Sequence, residues 1–450
     1  MIAILFASLT LSLADCGAVG DGATLNTKAF EKGISAVNAA GGGVLNVPAG
    51  VWLTGPIVLE SDVELHLDDS ALVVFTRDHS QYPIVVNDLN GEHDIVCRSP
   101  LTGTGLKNVK ITGRGVFDGS GDAWRPQKAV KMKERDWKAF LKTHPGFVTP
   151  DGKMWYPDEM AWRGEIEARQ MMKDDKWDPA LYEPYHEFLR PKMVRFIACE
   201  NLTIEDVTIR NSPMWTVNPV LCTNVVIRNI QVRNEEFAQN TDSIDVESCN
   251  GVTISGCEFS GGDDGICLKS GQQTRGYRIG RVCENIAVEN CKVFNGHGGF
   301  VIGSEMSGGV RNVKVRNCAF VGTETGLRFK TARGRGGVVE NIDIRGIVMK
   351  DILGDALTMT MAYAGKSTLE ETGTDGRPAA VPAVDEGTPV FRDIRIADVT
   401  CLGAGSVGTM IALPEMPVRG FSLTRATFTG TTRDLVVQYF ENPVLDYVRR

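Results

Sequence analysis

Asn240-Thr241-Asp242, Gly262-Asp263-Asp264, Gly296-His297-Gly298 and Arg328-Phe329-Lys330 are four short polar clusters that interrupt a regular hydrophobic pattern. Each follows a similar tetrad: Cys222-Thr223-Asn224-Val225, Cys249-Asn250-Gly251-Val252, Cys283-Glu284-Asn285-Ile286 and Val310-Arg311-Asn312-Val313. Counted from the third residue of its tetrad, Asp242 lies at 18, Asp263 at 12, His297 at 12 and Arg328 at 16. Each cluster therefore occupies about the same place in its own repeat. Repeats of this length, built from short strands of alternating apolar residues, signal a solenoid. In a parallel β-helix successive turns stack about 4.8 Å apart. Residues distant in sequence but equivalent in phase become neighbours, and two Asp clusters, a His and an Arg/Lys pair gather in one patch.

The chain of 450 residues is long for a single globular core, yet a solenoid grows by adding turns. Glycine is abundant (49) and aromatics are only 7%, as many tight turns between short strands require. The net charge of −8 argues against a nucleic-acid partner, since no basic field attracts phosphate. An anionic ligand must be held by local cations. The eleven cysteines include no C-x-x-C pair, which weakens zinc and thioredoxin-like readings. Cys199, Cys222, Cys249 and Cys283 share one repeat phase and read as an internal ladder of small apolar side chains.

Residues 2–14 are apolar and end in Ser12-Leu13-Ala14, an acceptable signal-peptidase site, although no basic residue precedes them. The stretch is too short to span a membrane. Leu13-Ala14-Asp15-Cys16 is a poor lipoprotein box, because Asp stands beside the Cys. The expectation is export by cleavage, to the periplasm or the exterior, with 1–14 a signal peptide; an N-terminal strand is the competing reading. Residues 15–450 then read as one β-helix domain, with no linker dividing them. Thr27 can cap a helix whose Phe30, Ile34 and Val37 share a face and which Gly41 to Gly43 stop. Such a helix suits the open end of a solenoid. Within 124–191 the period is lost. This insertion is charged, carries five of the seven Trp, and has Val130, Trp137 and Leu141 at helical spacing. Its Trp residues suit either sugar stacking or a small insertion core. A Gly/Thr/Pro-rich loop at 364–389 interrupts the later repeats. The expected fold is an all-β solenoid: a right-handed parallel β-helix with an N-terminal capping helix and a partly helical insertion.

Three carboxylates in adjacent turns repel one another. Repulsion with partial burial raises at least one pKa, giving a proton donor beside ionised bases. Glycosidic cleavage needs such a pair. Adjacent Asp263 and Asp264 would point oppositely in a plain strand, but Gly261, Gly262 and Gly265 allow a turn that presents both. Arg328 and Lys330, at i and i+2, share a strand face opposite Leu327 and Phe329, and such a pair suits a substrate carboxylate.

Taken together, the four clusters resemble the signatures of the polygalacturonase family, glycoside hydrolase family 28: Asn-Thr-Asp, Gly/Gln-Asp-Asp, Gly-His-Gly and Arg-x-Lys. Gly17-Ala18-Val19-Gly20-Asp21-Gly22 also looks like the start of that family's domain. The resemblance covers nearly the whole chain except the leader and the insertion. It implies metal-independent, inverting hydrolysis of α-linked galacturonate in pectic polysaccharide or oligosaccharide, without a cofactor. By the family's roles Asp263 is the general acid, while Asp242 and Asp264 position and deprotonate water. His297 supports the acid's protonation, and Arg328 and Lys330 hold the galacturonate, with Asn240 also on the substrate. Ser243 stands where the first signature usually continues with Gly. Gly303-Ser304-Glu305-Met306-Ser307-Gly308-Gly309 resembles bacterial members, many of them exo-acting, and two long insertions suit a cleft closed to a pocket. Rival readings are hydrolysis of rhamnogalacturonan or xylogalacturonan, a calcium-dependent pectate lyase, and a non-catalytic polysaccharide-binding β-helix.

Overall fold

A computed structural model describes residues 9–363 and 381–450, in two compact units. The first runs to Asp88 and takes in His93–Asn218 and Cys222–Thr241. The second comprises Leu89–Glu92, Pro219–Leu221 and Asp242–Arg450. Each is built of right-handed parallel β-helix coils, and each coil contributes up to three short strands. In the first unit one face stacks Leu9–Ser12, Gly43–Val47, Val63–Leu67, Lys107–Gly113, Glu200–Glu205 and Thr223–Arg228, all parallel. A second face stacks Gly50–Thr54, Ala71–Phe75, Val116–Asp118, Thr208–Arg210 and Gln231–Arg233. A third stacks Ile57–Val58, Leu101–Thr104 and Val194–Ile197.

The tetrads mark one corner of every coil. Their third residues Asn201, Asn224, Gly251, Asn285 and Asn312 all have φ between 56° and 75°, a region open to Gly and tolerated by Asn. The Asn side chains also form ladders. In the first unit Asn224 donates to Asn201 at 3.2 Å and Asn201 to Asn108 at 2.9 Å. In the second, Asn341 donates to Asn312 at 2.8 Å, Asn312 to Asn285 at 3.1 Å, and Asn285 to Asn250 at 2.8 Å. These bonds satisfy polar groups that a stacked corner takes from water. The cysteines opening the tetrads, Cys199 and Cys222 in one unit and Cys249 and Cys283 in the other, are buried and unbridged, as an internal ladder requires.

The helix Thr27–Ala39 buries Phe30, Ile34 and Val37 as its periodicity predicts, but Asn26 rather than Thr27 stands at its N-cap. The Thr27 hydroxyl instead accepts from Gly55 N at 2.7 Å. Leu9–Ser12 form a strand and Leu13 is fully buried, so cleavage after Ala14 would remove a strand from the sheet. Residues 1–8 of the expected leader lie outside the described residues, as do 364–380 of the long loop.

The insertion is partly helical, with Glu134–Thr143, Glu159–Arg163 and Glu167–Lys173 helical and a small antiparallel sheet of Gln127–Lys128, Met154–Tyr156 and Phe147–Val148. Val130 is 88% exposed and precedes the helix, so it does not share a buried face with Trp137. Trp124 packs in a core with Tyr82, Ile95, Cys97, Tyr182 and Leu189, stacked on the His79 ring at 3.7 Å. Trp137 and Trp155 are likewise buried, each against Phe140 and apart from the Trp124 core, so all three are packing residues and present no free stacking face.

Candidate active site

In the second unit Ile244–Glu247, Asp264–Lys269, Gly298–Gly303 and Leu327–Lys330 stack in parallel on one face. Their register decides which polar residues meet. Asp264 lies level with Gly298, so Asp263 lies level with His297, and His297 N donates to Asp263 O at 2.9 Å. Ile244 lies level with Ile266, which brings Asp242 level with Asp264, and Ser243 N donates to Asp264 O at 2.9 Å. Arg328 lies level with Val301 and Lys330 with Gly303, further along the strand than His297. The phases of the four clusters are therefore not identical. The two cations meet the carboxylates because their side chains are long enough to reach back.

Gly296 has φ 93°, and a Cβ there would stand 2.4 Å from Asp263 O, so only glycine lets this turn lie against the preceding coil. That close approach sets His297 beside Asp263, Nδ1 to Oδ1 at 3.0 Å. Asp263 lies in the turn and Asp264 opens the strand, and oxygens of the two carboxylates lie within 4.8 Å of each other. One donor atom each from Asp263, Asp264 and His297 falls within 4.8 Å of the others. Leu327 and Phe329 are buried on the opposite face from Arg328 and Lys330, as alternation predicts.

The three aspartates have unlike surroundings. Asp264 is buried and meets two cations: Lys330 Nζ at 2.6 Å from Oδ2 and Arg328 at 3.5 Å from Oδ1. For Asp263, burial pushes the carboxyl up, but the His297 hydrogen bond and charge, with Lys330 and Lys269 nearby, outweigh it and hold it down at about 2. Asp242 is pushed well above the usual carboxylate range, by burial first and then by Asp245 and Asp263. Its Oδ1 is buried with no hydrogen-bond partner among the described residues. In the resting site the raised carboxyl is thus Asp242, not Asp263.

Several groups escaped the sequence reading. Asp245 is fully buried, and burial raises it to about 7 against the pull of Lys269. Lys269 is buried too, 3.4 Å from Asp245, 3.1 Å from Glu305 and 3.9 Å from Asp242. Glu305, which the sequence did single out within Gly303–Gly309, is pushed up by burial, yet Lys269 brings it down to about 2. The Tyr363 ring faces Lys330 at 5.4 Å and Arg328 at 5.9 Å. Asp245 follows the first cluster by three residues, a signal that was available. Lys269 and Tyr363 lie in stretches with no local polar pattern. Asn240 belongs to the first unit, where its Oδ1 accepts from Arg190 at 2.9 Å.

Convergent carboxylates with cations on a stacked β-helix face define a polysaccharide-cleaving type of site. Residues 176–385 match the glycosyl hydrolases family 28. An exopolygalacturonase from Thermotoga maritima superposes with a TM-score of 0.79 at 31% identity, covering 98% of this chain and 92% of that one. A probable polygalacturonase from Vitis vinifera is 29% identical over 426 residues, 92% of this chain and 73% of that protein. An exo-poly-alpha-D-galacturonosidase from Dickeya chrysanthemi is 28% identical over 87% of this chain and 62% of that protein. The chain belongs to glycoside hydrolase family 28 and is a glycoside hydrolase.

Proposed function

We propose that the protein hydrolyses α-linked galacturonate in pectic polysaccharides or oligosaccharides, acting from chain ends, with inversion and without a metal. The observation that carries this reading is the cluster of three aspartates with unlike partners, one of which, Asp264, lies beside the Arg328 and Lys330 cations suited to a uronate. Asp264, held by Lys330 and Arg328, is the base: water attacks the anomeric carbon as its proton passes to Asp264. The partnerless Oδ1 of Asp242 orients that water. The glycosidic C–O bond breaks and its oxygen takes a proton from Asp263, which His297 replenishes through the 3.0 Å contact.

A low Asp263 in the resting site is compatible with an acid role once substrate is bound. A uronate carboxylate beside Arg328 and Lys330 adds negative charge and offsets the cations that depress Asp263. Metal independence is supported by Lys330 Nζ, which places a positive charge 2.6 Å from Asp264 Oδ2, and by His297, which already pairs with Asp263 Oδ1 at 3.0 Å. The Dickeya chrysanthemi and Thermotoga maritima relatives, both named for exo-action, support chain-end cleavage, although an endo-polygalacturonase from Pectobacterium carotovorum is also similar, at 25% identity. Export is proposed from the apolar 2–14 stretch. N-terminal sequencing of protein recovered outside the cytoplasm tests it: a mature start at Asp15 supports cleavage after Ala14, and retention of Leu9–Ser12 overturns that site.

Defined oligogalacturonides test the reaction. New reducing ends without ultraviolet-absorbing unsaturated products are expected, with the β anomer first by proton NMR. Unsaturated products indicate a lyase, and an initial α product overturns inversion. Cleavage of rhamnogalacturonan or xylogalacturonan in preference to homogalacturonan reassigns the substrate.

A further inference from the structure

Beneath the aspartates lies a buried cation that the steps above do not use. Lys269 Nζ sits between Asp245 at 3.4 Å, Glu305 at 3.1 Å and Asp242 at 3.9 Å. Lys269, Asp242 and Asp245 are each under a tenth exposed, while Glu305 reaches the surface. One ammonium thus faces three carboxyl groups in a poorly solvated pocket. The other charged or titratable groups around it are Asp263, Asp264, Lys330 and the Cys267 thiol. The share of Lys269's field that reaches Asp242 depends on how strongly Asp245 and Glu305 draw on it.

We propose that Lys269 is a positioning residue that sets whether Asp242 carries a proton, with Asp245 and Glu305 holding it in place and competing for its charge. The proposal rests on the hydrolase reading for its consequence but not for its measurement. The geometry fixes opposite signs for two substitutions. Replacing Lys269 by a neutral side chain removes the cation nearest Asp242 and makes its carboxylate harder to form. Replacing Asp245 by Asn removes a competing carboxylate and a repelling charge, which makes the Asp242 carboxylate easier to form. A scaffold-only role for the pair predicts no such opposition.

The test is a carbon-13 NMR titration of labelled aspartate carboxyls in the full chain and in Lys269→Met, Asp245→Asn and Glu305→Gln. Asp242 is assigned by its loss in Asp242→Asn. The Asp242 midpoint should rise by about one pH unit in Lys269→Met and fall by a similar amount in Asp245→Asn and Glu305→Gln. Midpoints that move the same way in the Lys and Asp variants, or that do not move, overturn the proposal. Should Lys269→Met not fold, the two carboxylate variants decide alone: both midpoints fall, or the proposal is wrong. Initial rates on oligogalacturonide are measured in parallel, with kcat expected to drop roughly tenfold or more in Lys269→Met while KM changes little. NMR shifts as stated in a protein that cleaves no pectic substrate would sink the substrate reading and leave the proposal standing.

Discussion

At the scale of single residues, environment and not residue type separates three aspartates that the sequence presents as equals. Asp263→Asn should lower kcat by several orders of magnitude with substrate binding largely kept, measured on a substrate with a poor leaving group. The pH profile carries a sign. An acid must be protonated to act, and on the proposed mechanism bound uronate should raise Asp263 from about 2. The alkaline limb of kcat should therefore lie at higher pH than that of kcat/KM. Equal limbs would show that bound substrate leaves Asp263 unperturbed. Lys330 and Arg328 also part company. Lys330 is buried on Asp264, so Lys330→Met removes the nearer of that carboxylate's two cations and leaves Arg328 at 3.5 Å; it should cost up to about 3–5 kcal/mol and fall on kcat. Arg328 is the more exposed, so Arg328→Gln should raise KM for the free acid and much less for its methyl ester. Asp245 has a folded pKa of about 7, raised above an unfolded value of about 4. A raised carboxyl adds stability at pH below 4 that is lost as pH rises through 7. Asp245→Asn should thus gain in melting temperature relative to the parent at pH 8, compared with the difference at pH 4.

At the scale of elements, the corner turns and the stacked face divide the labour. The Asn ladders fix coil-to-coil register, and register delivers Asp263 to His297. Gly296 is the tightest point of that delivery. Gly296→Ala forces a Cβ against Asp263 O at 2.4 Å on a residue with φ 93°, so the turn must move. Its kcat should fall with the melting temperature, and loss of the Asp263 signal's coupling to His297 in NMR would locate the damage. An unchanged kcat would show that the turn relaxes without displacing His297. The insertion is a second kind of element, and its Trp124 and Tyr182 share a core with Tyr82, Ile95 and Cys97 from outside it.

At the scale of the whole molecule, the proposed chain-end action is read from how a polymer is degraded over time. Monomer or dimer should appear from the earliest time points while polymer viscosity falls slowly. A rapid viscosity drop with mixed oligomers at low conversion would show internal cleavage. A chelator should leave the rate unchanged, whereas loss of activity that calcium restores would return the pectate-lyase reading.

The repeat of corner tetrads, the alternation along each short strand and the order of the four clusters were readable in the sequence, because a solenoid repeats its local rules coil after coil. That was enough for the β-helix, for the facing of Arg328 and Lys330, and for the capping helix. Phase counted along the chain was too coarse to say that Asp242 meets Asp264 while Asp263 meets His297, since coils differ in length and only strand register removes the difference. The charge states belong to the tertiary structure altogether. Burial with Asp245 and Asp263 raises Asp242, while His297, Lys330 and Lys269 lower Asp263 against its burial, and no local pattern announces a field summed over neighbours from separate coils.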